Sequence, residues 1–194
     1  MTFRDLAMFR DGLLDGRRVA IAGGGGVAIL EQLAALGATV DSIGDAVVFD
    51  EHAAAGWVAE HAPLHALVFC AGASFGSGGE AGLGTALELA WRSARAVATG
   101  ALIEAERPGK LVFVAPRPEA GPYAEPARAA LENLARTLSV EWARFTVTAV
   151  AIAPGATTTD DQLAELVCFL VSGAGDYFSG CRFDLGAIPV ALGR

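Results

Sequence analysis

The sequence predicts an α/β fold, a Rossmann-like doubly wound parallel sheet with helices on both faces in a three-layer sandwich. Three observations predict it. Short, almost continuously apolar runs at 19–22, 66–70, 110–115 and 146–152 alternate with helix-periodic segments, the pattern of strands covered on both faces. The first run passes through four consecutive glycines, Gly23 to Gly26, into a segment with Ile29, Leu30 and Leu33 at helical spacing. The composition, 53% hydrophobic and 19% charged over 194 residues, supplies one packed core and suits a single domain over 1-194.

Each element follows in order. Strand 19–22 turns tightly through the glycines into the first helix, which Gly37 ends, and 37–43 reads as a second strand. Ala46 to Phe49 is apolar again but lies only a few residues further on. A parallel neighbour needs a crossover of about a dozen residues, so this run is expected to be a loop or a short edge segment. A helix over 51–61 leads to strand 66–70, then a glycine-rich loop through Gly84. Leu87, Trp91, Ala94, Val97, Ala98, Ala101 and Leu102 make 83–106 a long helix, ended by Pro108 and Gly109. Strand 110–115 runs into a proline-rich connection, Pro116 to Pro122, and a second long helix over about 125–145. The β-branched strand 146–152 stops at Pro154 and Gly155. Asp160 or Asp161 is expected to cap a helix through Val171, and 180–186 closes the sheet.

The net charge of −8 argues against nucleic acid or an anionic membrane surface, since both need clustered Lys and Arg. No apolar run reaches about 18 residues, and the charged N-terminus has no secretory h-region. Cys70, Cys168 and Cys181 are odd in number and lack C-x-x-C spacing, so they read as core residues in a reducing cytoplasm. His52, His61 and His65 combine with them in no ligand spacing, which predicts no metal.

Chemistry concentrates at the glycine turn. Gly23, Gly25 and Ala28 fit G-x-G-x-x-A directly after a strand, where backbone N–H groups and a helix N-terminus suit a pyrophosphate. Asp45, about seventeen positions beyond Ala28, is the candidate acid for a ribose hydroxyl, with Asp41 as runner-up. A turn without ligand is the competing reading. Trp91 and Trp142 lie among alanines on the two long helices and read as interface or core. The apolar 188–192 suits docking against a partner.

Taken together, the chain resembles the short-chain dehydrogenase/reductase family over nearly its whole length. Gly23 to Gly26 matches that family's glycine loop, and Cys70-Ala71-Gly72 its N-N-A-G segment, which adds Gly72 to the cofactor-binding set. Gly109 to Val114 is similar to the strand before the catalytic serine, and Ala129 to Trp142 to the helix after the catalytic lysine. Val147 to Gly155 with Thr157 to Thr159 is similar to the P-G-x-x-x-T segment. The resemblance implies an NAD(P)-dependent oxidoreductase that protonates or hydrogen-bonds the oxygen of its hydride acceptor.

The departures modify that implication. Ala115 and Pro116 stand where the family's serine stands, and neither side chain can donate a proton. Arg128 takes the lysine's position and Ala124 the tyrosine's, leaving Tyr123 one residue early, a rotation of about 100° on a helix. The sole lysine, Lys110, and the sole asparagine, Asn133, fall elsewhere. The glycine loop is short, the crossover after the second strand is expected to lack its helix, and the stretch from Pro154 to Asp161 lacks a lid. The expectation is a catalytically degenerate member with no cofactor, or with doubtful NAD(P) binding. It would be a structural or regulatory subunit, homo- or hetero-oligomeric through helices 84-106 and 125-145, pairing with an active homologue. The alternatives are an atypical oxidoreductase acting through Tyr123 and Arg128, and an NAD(P)-binding sensor module.

Overall fold

The computed structural model describes residues 9–76 and 78–186, so the apolar 188–192 lies outside the described residues. Six strands, β1 (Arg18–Ala22), β2 (Thr39–Ser42), β3 (Ala66–Cys70), β4 (Gly109–Val114), β5 (Val147–Pro154) and β6 (Arg182–Leu185), form one sheet in the order β2-β1-β3-β4-β5-β6. Every pair is parallel. The helices are α1 (Val27–Ala35), α2 (Asp45–Phe49), α3 (Glu51–His61), α4 (Ala71–Phe75), α5 (Gly79–Val97), α6 (Ala124–Glu141) and α7 (Asp160–Val171).

Strand side chains alternate between two cores, as a period of two requires. Ala20, Leu67, Phe69, Leu111, Phe113 and Ala149 face one core with side chains of α3, α5 and α6. Val19, Ile21, Val68, Val112, Val150 and Ile152 face the other, with α1 and α7. Phe69 and Phe113 are fully buried with ring centroids 6.5 Å apart, and burying each ring stabilises the fold by about 2 kcal/mol. The doubly wound sandwich is therefore as the sequence predicts.

Five local expectations are corrected. Residues 45–49 form a helix, α2, instead of a loop or edge segment: Val48 turns inward and is 2% exposed. The Asp50 side chain accepts from the N–H groups of His52 and Ala53, both at 3.0 Å, and starts α3 directly afterwards. The crossover from β2 to β3 thus keeps its helical cover. What the sheet has instead is a single strand beyond β1, where the dinucleotide-binding order has two.

The segment expected as loop through Gly84 holds α4 and the first turn of α5. Gly82 lies against the Phe75 carbonyl, where a Cβ would overlap, so this glycine serves close helix packing. The first long helix gives way at Ala98–Ile103 to a π-helical turn. Finally, α7 is capped by Thr159, whose hydroxyl accepts from Gln162 N–H at 3.1 Å while the Gln162 side chain accepts from Thr159 N–H at 3.0 Å. This reciprocal pair leaves Asp160 and Asp161 in the first turn, where they favour the helix dipole.

Candidate functional site

β1 connects to β2 on one side, and the chain then crosses over β1 to β3 on the other, so the two connections part between β1 and β3. Doubly wound sheets open a crevice at the carboxyl ends of the strands at such a point. Here it is a cleft of about 500 Å³, walled by the glycine loop and α1 on one side and by Val114 to Arg117 on the other.

The glycine side is built from backbone. Gly23, Gly24, Gly25 and Gly26 have φ of +85°, +73°, +85° and +74°, all left-handed. A Cβ on Gly23 would stand 2.6 Å from the Cys70 carbonyl oxygen, and one on Gly26 2.9 Å from Cys70 Sγ, so the loop lies directly on the end of β3. Gly26 caps α1 without a side-chain acceptor. The first-turn N–H groups of Val27, Ala28 and Ile29, all in residues lining the cleft, therefore have no acceptor within the helix and sit at its positive end. Of the predicted cofactor-binding residues, Gly25, Ala28 and Gly72 line the cleft; Gly23 is buried behind it.

The opposite side is built from side chains, and its one cation among the described residues, Arg117, is already occupied. Arg117 donates to the carbonyls of Gly155 at 3.2 Å and Thr158 at 2.6 Å and pairs with Asp160 at 2.7 Å. Glu119 and Asp160 bring two carboxylates to the same rim. Burial pushes the Cys70 thiol up to about 12, which keeps it protonated and unreactive at neutral pH. Ala115 and Pro116 line this wall and carry no side-chain hydrogen-bond donor.

The remaining candidates lie outside the cleft lining. Arg128 is 6% exposed, and its Nη1 donates to the carbonyls of Pro116 at 2.9 Å and Pro154 at 2.7 Å. Its Nε lies 3.1 Å from the Glu125 carboxylate, yet the geometry makes no hydrogen bond there. The guanidinium thus ties the carboxyl end of β5 to the residue two beyond the end of β4. Tyr123 is 48% exposed, with φ of +71° as the N-cap of α6. Asp45 is exposed at the start of α2, and Asp41 pairs with Arg18 at 2.6 Å across β2 and β1. Lys110 opens β4 at the far end of the sheet. Arg117 was not singled out in the sequence, and no local signal could have found it, because its carbonyl partners lie 38 and 41 residues away.

Fold and cleft together define a doubly wound α/β domain with its ligand crevice at the β1/β3 switch point. No protein-family model and no curated protein matches the sequence. Solved structures match over most of the chain. The citronellol catabolism dehydrogenase AtuB of Pseudomonas aeruginosa PAO1 aligns with a TM-score of 0.74 at 26% identity, covering 92% of this chain and 98% of that one. A short chain dehydrogenase from Mycobacterium smegmatis aligns at 0.74 and 18% identity, covering 92% and 96%. An oxidoreductase of the short chain dehydrogenase/reductase family from Burkholderia thailandensis aligns at 0.73 and 22% identity, covering 87% and 90%. The chain has the fold of the short-chain dehydrogenases/reductases, which the sequence resemblance implies.

That fold implies a nicotinamide dinucleotide, and the residues fit one in part. Left-handed glycines and free first-turn N–H groups suit a pyrophosphate. Among the described residues that line the cleft, Arg117 is the one cationic side chain, and it is engaged with protein acceptors.

Proposed function

We propose that this chain is a non-catalytic short-chain dehydrogenase/reductase-like subunit, structural or regulatory, that pairs with an active homologue. The observation that carries this reading is Arg128. Standing where the family lysine would hold a ribose, it donates instead to the Pro116 and Pro154 carbonyls. With Ala115 and Pro116 on the cleft wall, neither side chain there can donate to an oxygen gaining charge during hydride transfer. The pairing surface is that of α5 and α6, where Trp91, 42% exposed, stacks on Trp142 with centroids 6.3 Å apart and Val140 is 76% exposed. No helix among the described residues is long and apolar enough to cross a membrane.

Native mass spectrometry of the protein isolated gently from its own host tests the reading. A homologous subunit bound to the chain supports it, together with absence of NAD(P)H-dependent carbonyl reduction by the purified chain. A homodimer carrying the mass of a dinucleotide on each chain overturns it.

The second reading is an atypical NAD(P)-dependent oxidoreductase using Tyr123 and Arg128, favoured by the structural likeness to two dehydrogenases. Tyr123→Phe should then abolish turnover, and unchanged turnover discards that reading. The free N–H groups of α1 favour a third, an NAD(P)-binding sensor module, which requires the thermal midpoint to rise in excess NAD(P)H.

A further inference from the structure

The opposite end of the sheet holds a second depression, of about 490 Å³, at the N-terminal ends of β1, β3, β4 and β5. Arg17, His65, Arg107 and Lys110 all line it, with Asp176 as its single acid. In a chain of net charge −8 this concentration of cations requires an explanation.

The charges do not balance among the described residues. Lys110 is 8% exposed, and its Nζ donates to the Leu170 carbonyl at 3.0 Å and to the Ser172 carbonyl and pairs with Asp176 at 2.6 Å. Its three donors are therefore used, and so is the charge of Asp176. Arg17 and Arg107 take part in none of the ion pairs among the described residues. Arg107 Nε is moreover buried without a hydrogen-bond partner among the described residues.

His65 completes the arrangement. Its Nδ1 accepts the Arg18 backbone N–H at 3.0 Å, so the neutral ring carries its proton on Nε2 and remains a donor. Burial first, then Arg17 and Arg107, depress its pKa below the ordinary 6.5, so both guanidiniums act on the ring. Arg17 also depresses Lys110, after burial. Three cations thus face one carboxylate, an excess of two positive charges.

We propose that this depression is an oxyanion site that takes a phosphate group, with Arg17 and Arg107 as its charge partners and His65 as a neutral donor. A phosphate carries about −1.5 to −2 at neutral pH, close to the excess, and its oxygens match the fork of a guanidinium. The group can arrive as the free ion or on a larger molecule. The site is independent of any pairing with a homologue and lies at the other end of the strands from the glycine loop.

Thermal unfolding of the intact chain at pH 7.5 and constant ionic strength tests it, with inorganic phosphate and phenyl phosphate titrated against chloride. The expected result is a rise of about 3 °C at about ten times the dissociation constant, growing with the logarithm of concentration beyond it. A rise with phosphate alone assigns the site to the free ion; an equal or larger rise with phenyl phosphate assigns it to a phosphomonoester. Arg17→Gln and Arg107→Gln should each weaken the rise, and the double variant should lose it. In chloride alone these variants should unfold at or above the parent midpoint, because each relieves repulsion. The proposal is overturned if neither phosphate exceeds chloride. It is overturned equally if the double variant keeps the rise, which would put the ion at the glycine loop, or if the variants unfold below the parent in chloride.

Discussion

The two ends of the strands differ in which polar groups are left free. At the carboxyl ends the free groups are backbone N–H donors of α1, while Arg117 and Arg128 are bound to protein acceptors. At the amino ends the free groups among the described residues are guanidiniums, Arg17 and Arg107, while backbone N–H groups such as those of Arg18, His65 and Lys110 are paired. The comparison teaches that a fold's customary crevice need not be its most charged one. A parallel sheet directs its strand-to-helix connections and helix N-termini to the carboxyl ends, whatever the side chains do. Side-chain charge is added separately, and here the larger unpaired charge lies at the far end.

The largest expected effect comes from breaking the backbone device. Gly23→Ala puts a Cβ 2.6 Å from the Cys70 carbonyl oxygen at a φ of +85°. It should cost about 3 kcal/mol or more in urea unfolding, since steric overlap adds to backbone strain. A loss under 1 kcal/mol would mean the loop is not seated on β3 as described, taking about 1 kcal/mol as an ordinary substitution's effect.

Next comes the clamp. Arg128→Met keeps a long apolar stem but leaves the Pro116 and Pro154 carbonyls without their donor, a loss of about 2 kcal/mol. Arg128 is buried, so solvent screening does not reduce this. If the residue is a clamp and nothing more, the same substitution leaves any NAD(P)H effect on the thermal midpoint unchanged. A midpoint rise in the parent that disappears in the variant would return Arg128 to the binding site.

How much of this was legible in the sequence follows from what each feature depends on. The four central strands were readable because a sheet covered on both faces demands apolar runs, and Ala66 to Cys70 is buried at every residue. The glycine turn was readable because few sequences other than glycine sustain four left-handed residues in a row. Ala46 to Phe49 was not, because a short apolar run has no period long enough to separate strand from helix; only burial of Val48 decides it. The role of Arg128 was half readable: its position could be counted from Ala129, but its acceptors lie 12 and 26 residues away and exist only once β4 and β5 are paired. The cations at the amino ends carried no motif at all, since four different connections bring them together.

Smaller effects belong to that second end. Lys110→Met removes three donor contacts but also the burden of a charge whose pKa burial already depresses, so the two changes offset in part. The expected net loss is about 1 kcal/mol, read from urea unfolding. A gain in stability would show that desolvation of the ammonium outweighs its contacts.

The smallest effect tests the charge imbalance directly through His65. Its folded pKa lies below the ordinary 6.5 because burial, Arg17 and Arg107 disfavour the imidazolium. The unfolded chain therefore binds the proton more readily, so this group's contribution to stability is present above 6.5 and is lost as the pH falls through 6.5 toward the folded value. Only part of the ring is buried, so solvent screening keeps the effect small. His65→Asn retains an acceptor for the Arg18 N–H without the titration. The fall in thermal midpoint between pH 7.5 and pH 5.5 should accordingly be about 1 °C smaller in the variant than in the parent. Saturating phosphate should shrink the same difference in the parent, because an anion between the arginines and the ring cancels the repulsion that depresses its pKa. If phosphate leaves that difference untouched while it raises the midpoint, the ion sits elsewhere, and the two ends of the sheet are less unlike than their charges make them.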